Sequence, residues 1–579
     1  MNRLKPVLLA SLMLLSMFAA MTVYVGDSEA ATESVDIQGF AFSPQSLTIQ
    51  VGDSVTWTNQ DSATHTATST SGPTSFDSGS LTNGQSFTFV FNSAGGYDYR
   101  CSIHTSMTAT IIVRAPDPPP VRVRDPLTHF SWGPENGETQ PGNVSLIGEW
   151  DWDTHTDLTL NSSTGVWAAS LNLSEGMYCY KFVIGESDYR FDPVNNYRGY
   201  CGQFENSVVR VDNKSMPMFT VELNESTGLP ERVLYHAGIG GAGPRIIDIG
   251  GRMALNGYQW NHNNGFNMDT WTLPVNFTYS IDRKYTLQIY GDDTDGNVAE
   301  PLILQYWVGP QQDFTWDDAL IYMVMTDRFV NGDLSNDMPI GNTSQGADWM
   351  GGDFAGVTQM INNGYFTDLG VNALWLSPFN TAASGTGTSG DGQHEVSGYH
   401  GYWPVEPRSI DPRFGDQYDL WDLVWAAHAA GIRVIGDFVV NHVHEDHPYY
   451  QNNPEWFNQG CICGEPGCDW TEERLECQFT SYMPDLNWKN RNASEQMIED
   501  ALWWMYTFDL DGARIDAVKH VDDLAITNLA IRVNEEFEVD GVDFYLKGET
   551  AMGWAGHDLA DNQDEYDMIN RYIGEDGLD

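Results

Sequence analysis

After Trp316 the hydrophobic rhythm of this chain changes, and that change restricts the fold more than any other feature. Short apolar runs of strand character alternate with stretches of helical periodicity. The strand-like runs are Ala319 to Met325, Val371 to Leu376, Ile432 to Asp437, Gly512 to Asp516 and Asp543 to Lys547; Leu420 to Ala430 and Glu495 to Thr507 are helical. Repeated β–α alternation predicts a parallel sheet with crossover helices, the beginning of a β/α barrel. In such barrels the chemistry sits at the C-terminal ends of the strands. Asp437, Asp516 and Glu549 stand there, although a strand-end Asp often only caps the next helix.

Everything before Trp316 reads as β-structure. From Glu33 to Arg114 apolar and polar residues alternate in short runs, as in Ser54-Val55-Thr56-Trp57 and Ser86-Phe87-Thr88-Phe89, separated by Gly, Asn and Ser. That is the pattern of a β-sandwich. It stops at the stiff stretch Ala115-Pro116-Asp117-Pro118-Pro119-Pro120. Two further β-rich segments follow, Val121 to Asp212 and Asn213 to Gly309. The predicted order is an export signal (1–30), a sandwich (31–115), a Pro-rich linker (116–120), two sandwich modules (121–212 and 213–309) and an incomplete (β/α)8 barrel (316–579). The signal rests on basic Arg3 and Lys5, the apolar stretch Val7 to Val25 and the small-x-small site Ser28-Glu29-Ala30; an uncleaved anchor is the alternative. A secreted or cell-surface protein follows, with no membrane contact once the signal is removed.

Charge narrows the partners. The chain has 80 acidic against 28 basic residues, a formal net charge of −52 spread along its length. Such a surface repels nucleic acid and anionic membranes and stays soluble where salt screens its self-repulsion, which suits a saline setting.

His65, Cys101, His104 and Met107 form a ligand set in the first sandwich. Two imidazoles, a thiolate and a thioether are the donors of a blue-copper site, and Cys-x-x-His-x-x-Met follows the strand-like run Gly96 to Arg100. The other reading is a metal-free sandwich with a free thiol. Over Glu33 to Val113 the segment resembles the cupredoxins, closest to amicyanin-like members in its short Cys-to-Met spacing. The resemblance implies one bound copper and electron transfer with a redox partner that the sequence does not reveal. Six cysteines remain: Cys179 with Cys201, and the cluster Cys461, Cys463, Cys468 and Cys477. Export favours disulfides; the cluster could instead hold zinc, and its connectivity is open.

Val144 to Val211 resembles the early-set modules of starch enzymes, similar to carbohydrate-binding module family 48, on Gly148-Glu149-Trp150-Asp151-Trp152 and Tyr178-Cys179-Tyr180-Lys181-Phe182. Trp150 and Trp152 are candidate sugar-stacking platforms; packing against a neighbouring domain is the plainer role.

From about Ala319 onward the chain is similar to glycoside hydrolase family 13, the α-amylase family. The resemblance rests on Tyr399-His400-Gly401-Tyr402-Trp403, Asp437 to His442, Met483-Pro484-Asp485-Leu486-Asn487, Gly512 to His520 and Gly548-Glu549-Thr550. It implies an excursion (domain B) at about 442–490 and retaining cleavage of α-1,4 links in starch, glycogen or maltodextrins. Asp516 would be the nucleophile and Glu549 the acid–base, with the higher proton affinity of the two. Arg514 would pair with Asp516; His400 and His442 would bond the sugar and Tyr402 stack on it; Lys519 and His520 favour α-1,4 chemistry. It also implies calcium. One site would use Asn331, Asp333, Asn336, Asp337, Gly351 and Asp353, unless these form a plain Asx-rich turn. A second would use Asn441, Asp485 and the His520 carbonyl.

The family's third carboxylate, an Asp preceded by His, is not found. About five barrel strands are counted, so the sequence looks like the front of a longer protein, and the 579 residues alone are expected to be inactive. A cyclodextrin glycosyltransferase, a neopullulanase-like enzyme, and an inert starch-binding or electron-transfer protein are the alternatives.

Overall fold

The computed structural model describes residues 32–550, apart from 51–52, 94, 115–123, 135–137, 225–229, 242–243, 252–271, 275–281, 390–391 and 541. The expected export signal and Pro-rich linker lie outside the described residues. The chain forms two compact units, Met1–Pro120 and Val121–Asp579.

In the first unit two four-stranded sheets close on one core. One sheet runs Ala41–Ser43, Thr32–Gln38, Ser54–Asn59, Ser86–Val90; the other runs Ser46–Gln50, Thr108–Arg114, Gly95–Arg100, Thr68–Ser69. The period-2 pattern dictates this: along Ser54–Asn59 every second residue, Val55, Trp57 and Asn59, is buried. Trp57 stacks on Phe76 at the centre, with ring centroids 5.0 Å apart.

In the second unit the segments expected as two separate modules join the β/α region in one compact body. A six-stranded sheet around Val144–Gly148 and Gly176–Ile184 and a three-stranded sheet share a core of Phe130, Trp132, Leu146, Trp167 and Phe182. Cys179 and Cys201 are joined as a disulfide. Next come two three-stranded sheets, one containing Arg283–Asp293 and Leu302–Val308.

Five parallel strands then lie side by side in chain order: Ile321–Val324, Ala373–Leu376, Arg433–Phe438, Gly512–Ile515 and Tyr545–Gly548. Helices Phe354–Asn362, Gln417–Ala429, Arg491–Phe508 and Asp523–Phe537 cover them. Each helix start is marked by an Asx side chain that takes up free backbone N–H groups: Asp353, Asp416, Asn490 and Asp522.

One buried cation ties the preceding sandwich to this sheet. Lys284 is fully enclosed and lies 3.0 Å from Asp509 and 2.8 Å from Asp511. Asp509 ends its helix in the left-handed region, at φ 54°, which turns its carboxylate toward the sandwich. Asp511 also accepts from His428 Nε2 and from Val434 N, each at 2.8 Å. Burial pushes the Asp511 carboxyl up, but Lys284 and His428 outweigh it and hold the group below the usual carboxylate range. Removing one partner of such a network strands a buried charge. Lys284→Met is therefore expected to cost about 3–5 kcal/mol, read as a lowered midpoint in urea or thermal unfolding.

Candidate active site and metal sites

The strand ends bring the predicted residues together around one guanidinium. Arg514 and Asp516 are two residues apart where a strand ends, so they face the same side. The neighbouring strand pairs Asp437 directly with Arg514. Arg514 Nη1 donates to Asp437 Oδ1 at 2.8 Å and to Asp516 Oδ1 at 2.7 Å; Nη2 lies 2.7 Å from Glu549 Oε2. Three carboxylates from three consecutive strand ends thus share one cation. Asp437 and Asp516 are buried, whereas Glu549 is 44 % exposed, so water or a substrate atom can reach it. Burial pushes the Asp437 and Asp516 carboxyls upward, Asp516 strongly, and Arg514 pulls both the other way.

The residue after Asp516 is strained. Ala517 has φ 50° and ψ 39°, a left-handed conformation that L side chains avoid. The turn aims its N–H at Glu549 Oε2, 3.2 Å away, a second tie between the two carboxylate positions.

The histidines and Tyr402 form the adjoining wall. Tyr402 donates its hydroxyl to Asp437 Oδ2 at 2.9 Å, and its ring stacks on His400 at 5.7 Å and 21°. His442 Nε2 donates to the Tyr402 carbonyl at 3.0 Å. The Tyr402 N–H bonds His400 Nδ1 at 3.0 Å, so the His400 proton sits on Nε2. Burial drives His400, His442 and His520 each down to about 4, leaving them neutral near pH 7. Lys519 and His520 are buried in the turn after Asp516. The sequence reading missed Trp375, whose Nε1 donates to Asp437 Oδ2 at 2.9 Å. In the run Ala373-Leu374-Trp375-Leu376 it carries only a core signal.

Of the two module tryptophans, Trp150 is not an open platform: it packs against Phe130, Tyr178 and Tyr180. Trp152 is 42 % exposed.

The acidic loop behind the first strand converges as well. Asp353 accepts from Gly332 N, Asp333 N and Gly356 N, and Asn336 Nδ2 lies 3.3 Å from it. Asn331 Nδ2 donates to Asp337 Oδ1 at 2.7 Å. The side-chain oxygens of Asn331 and Asn336 are buried with no protein donor. Gly351, at φ 86°, leaves no room for a Cβ, which would strike Asp337 and Asn331. A second pair of orphaned buried oxygens, Asn441 Oδ1 and Asp485 Oδ1, lies where the domain-B segment meets the sheet. Unpartnered hard oxygens are the donor chemistry of a Ca²⁺-class cation.

In the first unit His65 Nδ1 and His104 Nδ1 lie 3.8 and 3.7 Å from Cys101 Sγ and 3.1 Å from each other. The point equidistant from all three is about 2.1 Å from each, the bond length a first-row transition metal needs. Cys101 is a buried free thiol, and its sulfur receives the N–H groups of Thr66 and His104, both at 3.4 Å. Met107, also buried, packs in the same core. Asp61 Oδ2 stands 3.2 Å from His65 Nε2.

Comparison with known proteins matches residues 323–545 to the family of the alpha amylase catalytic domain, and residues 29–114 to the copper-binding proteins of the plastocyanin/azurin family. Cyclomaltodextrin glucanotransferase of Geobacillus stearothermophilus is 34% identical over 273 residues, 41% of this chain and 37% of that protein. An alpha-amylase of Niallia circulans is 31% identical over 237 residues, 37% of this chain and 44% of the other. The chain thus spans less than half the length of these relatives. An alpha-amylase structure from Geobacillus thermoleovorans, complexed with acarbose, shares 32% identity over 46% of this chain and 52% of its own, with a TM-score of 0.36.

The copper ligand set has a direct test. Copper(II) added to the full chain is expected to give the intense thiolate-to-copper absorption of a blue site, read in the visible spectrum, and Cys101→Ser is expected to abolish it.

Proposed function

We propose that this chain, which carries an alpha-amylase catalytic domain at 323–545 and a plastocyanin/azurin-type copper-binding domain at 29–114, is a secreted retaining α-glucan hydrolase with an appended copper module. The observation that carries the reading is the Arg514 guanidinium holding Asp516 and Glu549 at its two nitrogen ends. In retaining cleavage Asp516 attacks the anomeric carbon while Glu549 protonates the departing glycosidic oxygen. Water, deprotonated by Glu549, then releases the sugar from Asp516 with its α configuration kept. His400, a neutral ring with its proton on Nε2, hydrogen-bonds the sugar at the cleaved position, His442 meets it only as an acceptor at Nδ1 because its Nε2–H is held by the Tyr402 carbonyl, and Tyr402 stacks beneath it. Lys519 and His520 bind the sugar beyond the cleavage point, which favours α-1,4 links.

Calcium at Asn331, Asp333, Asn336, Asp337, Gly351 and Asp353, and at Asn441, Asp485 and the His520 carbonyl, would satisfy the orphaned oxygens and hold domain B on the sheet. Copper at His65, Cys101, His104 and Met107 would supply one-electron transfer. Trp152 offers a further ring to a sugar. The acidic surface suits a saline exterior, and no described helix is long and apolar enough to cross a membrane. Among related reactions, transfer to a second sugar, as in cyclodextrin formation, differs only in the acceptor, and product analysis separates the two.

The test is digestion of maltoheptaose by the full chain. Asp516→Asn and Glu549→Gln are each expected to lower turnover by at least ~10³-fold with binding retained. This reading sets aside the sequence-based expectation that the 579 residues alone are inactive, and the assay decides between them: undiminished cleavage by Asp516→Asn, or none by the unsubstituted chain, sinks the reading. The pH profile follows from burial. The nucleophile must be ionised, and burial raises the Asp516 carboxyl. Activity should therefore fall, as pH is lowered, above the range of an ordinary carboxylate. Arg514→Gln removes the opposing charge and should move that acid limb of kcat/KM further up.

A further inference from the structure

The segment between Cys461 and Cys477 cannot hold its shape by packing. Most of it is exposed, and its side chains include Glu465, Asp469, Glu472, Glu473 and Glu476, with few apolar residues. Two interleaved disulfides hold it instead, Cys461–Cys468 and Cys463–Cys477. Backbone bonds complete the knot: Cys463 N donates to the Gln478 carbonyl at 2.9 Å, and Gln478 N to the Cys461 carbonyl at 2.8 Å.

This knot grips two residues of the turn that follows Asp516, Lys519 and His520, through one residue of its own, Arg474. The Arg474 side chain donates to the Lys519 carbonyl at 2.6 Å, and the Arg474 carbonyl lies 3.1 Å from His520 Nδ1. A carbonyl can only accept, so the His520 proton must be on Nδ1. Two rings fix the imidazole plane. Phe479 meets it at 4.8 Å and 89°, and Trp470 at 5.7 Å and 80°.

We propose that the disulfide-knotted segment Cys461–Cys477 is a positioning device for the acceptor side of the cleavage site. Through Arg474 it selects the Nδ1–H form of His520, so that Nε2 remains a hydrogen-bond acceptor for a sugar hydroxyl. Arg474 is a positioning residue and does not touch substrate. The inference rests on the glucan-cleaving reading for its ligand, but its geometry stands apart from that reading.

The test uses the full chain with ¹⁵N-labelled histidine. The long-range ¹H–¹⁵N pattern of His520, assigned by its loss in His520→Gln, is expected to show a protonated Nδ1 and a bare Nε2. The double variant Cys463→Ala/Cys477→Ala is expected to shift His520 toward the Nε2–H form. The same variant should raise KM for maltoheptaose by about tenfold, the worth of one hydrogen bond, with kcat nearly unchanged. Arg474→Met, which keeps both disulfides, should raise KM in the same direction, and Arg474→Lys should restore most of it. An Nε2–H His520 in the unsubstituted chain overturns the proposal, as does a tautomer unchanged in both the cysteine and the Arg474→Met variants. A chain that cleaves no glucan defeats the functional reading alone, because the tautomer is still decided by the spectrum.

Discussion

A single guanidinium, enclosed at the ends of three adjacent strands, is the constraint on which the rest of the catalytic unit depends. Asp437, Asp516 and Glu549 all reach Arg514. In a site this poor in water, burial pushes the Asp437 and Asp516 carboxyls upward. Arg514 is the charge that pulls against that push at both groups. Its place is fixed by the sheet: parallel register sets it opposite Asp437, and period-2 alternation sets it on the same side as Asp516. Around it, Tyr402 and Trp375 each give a hydrogen to the remaining oxygen of Asp437. Asp437 thereby has both oxygens engaged, while Asp516 and Glu549 each meet Arg514 through one oxygen.

The same economy of charge holds the neighbouring sandwich in place. In a chain of net charge −52 cations are scarce, and burying one is costly unless acids meet it. Lys284 meets two, Asp509 and Asp511, at the foot of the strand that leads to Arg514 and Asp516. The second of the two expected sandwich modules therefore contributes the cation that satisfies the entry to the strand Gly512–Ile515.

Local signals were legible in the sequence and remote ones were not. The strand ends bearing Asp437, Asp516 and Glu549 could be placed because apolar runs and their terminal acids are adjacent in the chain. The Cys-x-x-His-x-x-Met spacing was legible for the same reason. Lys284 was hidden. Alternation in Lys284-Tyr285-Thr286-Leu287 implies one wet face, yet residues 283 to 289 are all buried, because the sandwich covers one face and the catalytic region the other. Trp150 misled in the opposite sense: an aromatic beside a turn reads as a platform, but its ring is partly buried against the module's own core. The pairing of the four clustered cysteines, and the grip of Arg474 on Lys519 and His520, join residues far apart in sequence and left no periodic trace.

Orphaned polar atoms finish the account of why these loops have their shapes. A buried oxygen without a donor is costly, and native folds rarely retain one unless something absent from the protein chain satisfies it. Here the orphans are not scattered. Asn331 and Asn336 lie in one acidic loop, and Asn441 and Asp485 lie where the domain-B segment joins the sheet. Burial pushes the Asp485 carboxyl well above the usual carboxylate range. A hard divalent cation would reverse that push and satisfy Asn441 together with Asp485.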